Sequence, residues 1–434
     1  MLNGVLLLAG PAWVGLSFWL MLGRVEPVAT FFYPCVWYGL IFTCDRLIHW
    51  REHRSLLRRC GRGGWALFFW SAAVWYAFEA FNLRLHNWYY VLVADQAVWR
   101  SVGSILSFAT VFPGIFWIEH LLGALRLGNK WRGRHRRFAA GALWGMQAAG
   151  LLALVLCLLY PRYCFPLLWV GFILLVEPFN HRRGIGLLRQ IEAGDYRPLG
   201  RQVLAGLLAG LLWEGLNFWA RAKWIYTVPF FEELKLFEMP LAGFLGFAPF
   251  AVECAAIYRL LVWYHLAPAF GGYSQRRPRK VPTGTRVALV GLAALAALSA
   301  DHYMNRLTVV SVTPAVERVE RFDRETRLLL RAAGVYYLTD LEGRQAPARW
   351  QTLTEGMDPV RLAQVRRLSA LYLHQGIGVE YGNLLVRGGI DSLGALAALS
   401  AEQVRAKLER VAPSEALPPP ALVRVWVRRA AEKL

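Results

Sequence analysis

Two glutamate–asparagine pairs carry the chemistry this sequence could perform. Glu79 is followed three positions later by Asn82, and Glu214 by Asn217, each inside an otherwise apolar run. A spacing of i, i+3 sets the two side chains of each pair on one helix face, which His86 and Arg221 extend at i+7. An ionisable group inside such a run costs about 2.5–3.5 kcal/mol on insertion scales and turns toward a bundle interior or a cavity. Glu79 and Glu214 are therefore candidate proton donors or acceptors, with Asn82 and Asn217 orienting a ligand. The structural alternative is a hydrogen bond to a neighbouring helix or to broken backbone.

Glu119 and Glu253 occupy later apolar runs, behind Pro113 and Pro249, where a proline frees a backbone carbonyl. They either join the first pairs in one cavity or stand apart from them in depth. Trp75, Trp213, Trp224 and Tyr226 are candidate walls for an apolar ligand. The loop TVPFFEELKLFEMP brings Glu232, Glu233 and Glu238 among phenylalanines, as a lid, a re-entrant segment or an amphipathic interfacial stretch. Asp45 and Glu177 read as interfacial salt-bridge partners beside Arg46 and His181, and Asp301-His302 as a polar helix end. No HExxH, Walker A, GxSxG or CxxC pattern occurs, so neither a metal nor an organic cofactor is expected. The six cysteines are confined to the first 254 residues without ligand-like spacing, which argues against a disulfide framework.

The elements that must hold these residues are membrane helices. Hydrophobic residues make up 56% of the 434, with 19 tryptophans, and mean hydropathy is positive. Apolar runs near the roughly 20 residues that cross a bilayer core fall at about 2–22, 28–47, 64–83, 101–124, 138–160, 164–180, 203–221, 240–264 and 287–305. The first lacks a basic n-region and a small-residue cleavage site, so it reads as a retained span. Much of the net charge of +20 sits in four short loops, Arg51 to Arg62, Arg126 to Arg137, Arg182 to Arg201 and Arg276 to Arg286. Basic short loops mark the cytoplasmic side, which excludes net charge alone as a nucleic-acid signature. The expected placement is a bacterial-type inner (plasma) membrane, with the N-terminus inside and the C-terminal domain outside the cytoplasm.

The chain also repeats itself. FYPCVWYGLIFTCDRLIHWR aligns without gaps on CFPLLWVGFILLVEPFNHRR, pairing Pro34 with Pro166, Trp37 with Trp169, Gly39 with Gly171, Asp45 with Glu177 and His49 with His181. Glu79-Ala-Phe-Asn82 matches Glu214-Gly-Leu-Asn217, and Trp88/Tyr90 match Trp224/Tyr226. The expected organisation is all-α, a parallel four-plus-four duplication. It divides into repeats at 1–125 and 126–265, a basic loop and ninth span at 266–305, a linker or packing segment at 306–325, and a soluble helical domain at 326–434.

In that last domain LHQGIGVEYGNLLVRGGIDSLGALAALSAEQVRAKLER resembles a helix-hairpin-helix repeat, with Gly376-Ile377-Gly378 as the hairpin; LLLRAAGVYYLTDLEG resembles half of another copy. The arrangement is similar to the tandem modules of the DUF4332 type, a family without an assigned function. The resemblance implies docking of a protein partner through Gly376, Ile377 and Gly378, or contact with nucleic-acid phosphates; simple capping of the membrane domain is the third use open to the tail. Gln375 stands where a proline often precedes the first glycine, and acids interrupt the basic residues, which argues against nucleic acid.

Three functions fit these features. One is a membrane protein that binds or acts on a lipid-like, isoprenoid or acyl, substrate. The second is a proton- or ion-coupled transporter. The third is a membrane-anchored scaffold or DNA-uptake subunit working through the tail. Membrane lipids are the expected small partners, and a homo-oligomer fits the architecture.

Overall fold

Apolar runs with few helix breakers fold into long helices, and a helix stands at each of the nine apolar stretches. The computed structural model describes residues 2–230, 234–273, 281–412 and 417–433. Glu232 and Glu233 of the aromatic loop, and Arg276, Arg277, Arg279 and Lys280 of the fourth basic loop, lie outside the described residues.

The first part comprises α1 (Leu2–Leu22), α2 (Phe32–Glu52), α3 (Leu56–Cys60), α4 (Gly64–Leu85), the strand β1 (Trp88–Val91), α5 (Ala97–Phe108) and α6 (Val111–Ala124). The second comprises α7 (Ala140–Leu159), α8 (Pro161–Cys164), α9 (Leu168–Arg182), α10 (Leu187–Glu192), α11 (Arg197–Trp219), β2 (Lys223–Tyr226), β3 (Lys235–Leu236), β4 (Met239–Pro240) and α12 (Phe247–Trp263). Helix α13 (Thr283–Leu307) leads to the tail: α14 (Arg324–Ala332), α15 (Ala346–Gly356), α16 (Pro359–Leu373), α17 (Gly378–Arg387), α18 (Leu393–Ala397), α19 (Ala401–Glu409) and α20 (Pro420–Ala431). Among the described residues the fold is all-helical apart from two short antiparallel ribbons, β1–β2 and β3–β4. Five helical stretches among the described residues, Ala97–Ala124, Ala140–Leu159, Pro161–Arg182, Leu241–Trp263 and Thr283–Leu307, are long and apolar enough to cross a membrane.

Small residues let the helices touch backbone to backbone. A Cβ on Gly10 of α1 would stand 3.1 Å from the Gly39 carbonyl oxygen of α2. One on Gly150 of α7 would stand 2.8 Å from the Gly171 oxygen of α9. The two crossings use the glycines that the sequence aligns, Gly39 and Gly171.

The acids at the ends of α2 and α9 cap the short helices that follow. Asp45 is fully buried, and its Oδ1 accepts from the Leu56 and Leu57 amides at 2.7 and 3.1 Å and from Trp117 Nε1 at 3.2 Å. Its Oδ2 accepts from the Ser55 hydroxyl at 2.7 Å and from Arg46. Glu177 Oε2 accepts from the Leu188 amide at 3.2 Å at the start of α10. Capping satisfies helix-end amides that otherwise have no partner. Asp45 therefore does more than the expected salt bridge, and Glu177 stands 4.0 Å from Arg259, while His181 faces Glu192.

In the tail, α14 and α17 end in the same turn. Gly334 and Gly389 adopt φ of +74° and +77°, and the next amides, Val335 and Ile390, donate back to Leu330 and Leu385 at 2.8 and 2.9 Å. This glycine-dependent helix stop buries Val335 and Ile390 completely in the tail core. His374 is buried beside the hairpin, 3.0 Å from the Trp426 carbonyl, and burial pushes its imidazole down to about 4.

Asp45→Ala leaves two helix-end amides and an indole N–H unpaired, so a loss of about 1–3 kcal/mol per orphaned donor is expected, read as a lower melting temperature in detergent. Because His374 titrates lower folded than unfolded, the unfolded chain takes up the proton first. Stability is full above about pH 6.5 and falls as pH drops toward about 4. Melting the full chain with and without His374→Gln across this window should show a flatter pH slope in the variant.

Candidate functional site

The Trp-x-Tyr stretches after α4 and α11 find each other and pair. Trp88 lies opposite Tyr226, and Tyr90 opposite Trp224. A strand alternates its side chains between faces, and here the two faces serve different bodies. Tyr89, Val91 and Ile225 enter the apolar core of the tail. Trp88, Tyr90, Trp224 and Tyr226 line a cavity on the other side.

Each asparagine pins its strand. Asn82 Nδ2 donates to the Trp88 carbonyl at 2.9 Å, and Oδ1 accepts from the Asn87 and Trp88 amides at 2.9 and 3.3 Å. Asn217 Nδ2 donates to the Trp224 carbonyl and Oδ1 accepts from the Trp224 amide, both at 2.9 Å. Both asparagines are buried, and each mimics a backbone ladder partner. His86 and Arg221 leave the expected faces because the helices end first. His86 turns left-handed at φ 53° as the α4 cap, and Arg221 pairs with Glu26 and Thr30.

The two glutamates are equally buried but not equally satisfied. Glu79 Oε1 accepts from Tyr90 Oη at 2.6 Å, Trp75 Nε1 at 2.9 Å and Trp88 Nε1 at 3.1 Å, and Trp88 also reaches Oε2 at 3.3 Å. Glu214 Oε1 accepts from Tyr226 Oη at 2.8 Å, while among the described residues its Oε2 and the indole nitrogens of Trp213 and Trp224 make no hydrogen bond of normal geometry, the Trp224 indole lying beside the carboxylate. The position matching Trp75, four residues before the glutamate, is Gly210 in the second half, so one donor is missing there.

Glu214 lines a cavity of about 510 Å³. Its walls come from both halves: Tyr33 and Trp75 on one side, Trp169, Trp213 and Phe250 on the other. Arg100, Asn305 and Lys223 add polar groups. Of the sequence candidates, Trp75, Trp213, Glu214, Trp224 and Tyr226 line it, and Glu79 lies behind Trp75, Trp88 and Tyr90, which it bonds. Glu253 is buried and caps backbone elsewhere, its Oε1 accepting from the Phe172 amide at 2.9 Å. Glu119 lies 3.0 Å from His120 Nδ1. Glu238 is buried against Lys223 at 3.3 Å and Arg429 of the tail at 4.0 Å. Among the described residues no group of acids, histidines and cysteines has the arrangement to hold a metal.

Neither Arg100 nor Asn305 stands in a spacing that points to this cavity. Asp301 arranges them: it accepts from Tyr76 Oη at 2.8 Å and Ser101 Oγ at 2.5 Å, and Asn305 bonds Asp301 while accepting from Arg100 Nε at 2.9 Å.

The tail folds its hairpin onto the ribbon. Gly376 and Gly378 have φ of +67° and +70°, and added Cβ atoms would stand 2.2 Å from Val91 Cβ and 2.4 Å from Ser311 Cβ. Ile377 is fully buried. The hairpin that the sequence offers to a partner is thus turned toward the chain's own strand. Residues after α13 run parallel to β1, with the Tyr90 amide donating to the Thr308 carbonyl at 2.8 Å and the Val310 amide to the Tyr90 carbonyl at 2.9 Å.

Residues 320–433 match the model of DUF4332, a domain of unknown function. The match covers the C-terminal region whose helix-hairpin-helix pattern resembles that family. Comparison with curated proteins and with solved structures found no match. The DUF4332 region therefore contributes a helical body whose core is completed by the ribbon.

Asn82→Ala and Asn217→Ala should each lower the melting temperature, by about 1–3 kcal/mol of stability for every buried group left unpaired. Glu214→Gln keeps the Tyr226 bond and should leave the melting temperature unchanged. Equal losses in all three variants would contradict this division between pinning and open groups.

Proposed function

We propose that this protein is a nine-span, internally duplicated membrane protein that binds or acts on a lipid-like molecule, isoprenoid or acyl, in the cavity beside Glu214. One observation carries the reading: a buried carboxylate oxygen without a partner among the described residues lines an aromatic cavity of ligand size. Leaving such an atom unpaired costs about 1–3 kcal/mol or more for a charged group, and a ligand hydroxyl or other donor would recover it. Ligand pockets of this kind are mostly apolar with a few convergent polar groups.

The duplication is supported by the paired contacts: Asn82 and Asn217 on their strands, Tyr90 and Tyr226 on their glutamates, Asp45 and Glu177 on their short helices. In this reading the first half-site is a filled structural copy and the second is the working one. Glu214 is the acid, base or hydrogen-bond anchor, and Trp75, Trp213, Trp224 and Tyr226 form walls. The basic loops face the cytoplasm of a bacterial-type inner membrane, and the DUF4332 region sits over the ribbon on the other side.

Mass spectrometry of small molecules that co-purify with the solubilised protein tests this. A discrete lipophilic compound should be enriched on wild type and on Glu79→Gln, and depleted several-fold on Glu214→Gln. Bulk phospholipid alone on all three would refute the ligand-site reading and favour a transporter or scaffold.

A further inference from the structure

The cavity wall holds two cationic side chains, and their charges are balanced differently. Lys223 faces Glu238 at 3.3 Å. Arg100, near the start of α5, bonds only neutral acceptors among the described residues. Its Nε donates to Asn305 Oδ1 at 2.9 Å, and Nη1 donates to the Ala94 and Asp95 carbonyl oxygens at 3.2 and 2.6 Å. The nearby Asp95 carboxylate is directed to Arg318 of the tail segment, at 3.4 Å. The first turn of α5 contains no acidic side chain, and Gln96 caps it with no side-chain hydrogen bond.

This guanidinium is firmly placed. Asn305 is held by the Asp301 carbonyl and carboxylate at 2.9 and 3.2 Å, and Asp301 is itself fixed by Tyr76 and Ser101. The same cavity contains Glu214 Oε2, fully buried and without a partner. Among the described residues this site thus leaves one cation with no paired acid and one carboxylate oxygen with no donor, beside the unpaired indole nitrogens of Trp213 and Trp224.

We propose that the ligand is an amphiphile with an anionic head, a carboxylate or a phosphate ester, that pairs with Arg100, and that Arg100 selects charged over neutral amphiphiles. This rests on the lipid-like ligand proposed above and adds the chemistry of its head. Arginine suits the role because its planar fork binds carboxylate and phosphate oxygens in pairs. A head so bound would leave the chain among Trp75, Trp169, Trp213 and Phe250.

The test uses the full chain in nanodiscs, with empty nanodiscs as the partition control. Binding of cis-parinaric acid and of its methyl ester is read by energy transfer from the cavity tryptophans. A charge-assisted hydrogen bond contributes about 1.5–3 kcal/mol, so the acid should bind wild type about tenfold or more tightly than the ester. Arg100→Gln should bring the acid down to the level of the ester, and Arg100→Lys should restore part of the preference. Displacement of the acid by farnesyl phosphate but not by farnesol extends the assignment to phosphates; displacement by neither restricts it to carboxylates. Equal binding of acid and ester to wild type, or a preference that survives Arg100→Gln, overturns the anionic head while leaving the cavity reading standing. No transfer above the empty-nanodisc level with either probe overturns both.

Discussion

The β1–β2 ribbon is the constraint on which the rest of the molecule depends. A strand pair in a low-dielectric setting must satisfy every backbone amide and carbonyl, and a four-residue ribbon cannot do so alone. Asn82 and Asn217 supply ladder partners from the helices, and residues 308–313 supply them from beyond α13. The alternation of side chains then does two things at once. One face completes the core of the DUF4332 region, and the other closes a cavity between the two halves. The tail and the cavity are therefore two sides of one wall.

Against this shared frame the halves differ by subtraction. Glu79 is surrounded by three donors, whereas among the described residues only Tyr226 gives Glu214 a hydrogen bond of normal geometry. The loss traces to particular positions: Gly210 replaces the tryptophan that would donate, and the smaller residue admits Phe247, whose ring occupies the space a Cβ would need. Buried polar groups are normally paired. The proposed ligand would supply the polar contact that this position lacks and its counterpart has. The apolar rings around it argue that most of the ligand is hydrocarbon.

The helical character, the DUF4332 tail and the shared face of each glutamate with its asparagine were legible in the residues, because period and rare residue types survive without knowledge of packing. The same spacing argument failed for His86 and Arg221, since it assumed helices that continue; α4 and α11 stop at Leu85 and Trp219. The ribbon was hidden because Trp-x-Tyr at the end of an apolar run reads equally as an interfacial belt. Glu119 and Glu253 align in sequence, yet one sits beside a histidine and the other caps α9 backbone. Arg100 and Asn305 come from segments far apart in the chain, and only tertiary packing through Asp301 sets them at one cavity.

The central claim is that the space beside Glu214 is built to hold a molecule. The most direct measurement is a cryo-electron microscopy map of the wild-type protein purified into nanodiscs without added ligand, resolved well enough to show side chains around Tyr33, Trp213 and Tyr226. The account predicts elongated non-protein density in this cavity, with one end at Arg100 and a donor group along it within hydrogen-bond distance of Glu214 Oε2. A cavity filled by repacked aromatic rings, or holding only isolated water-sized peaks with Glu214 bonded to another protein group, would contradict it.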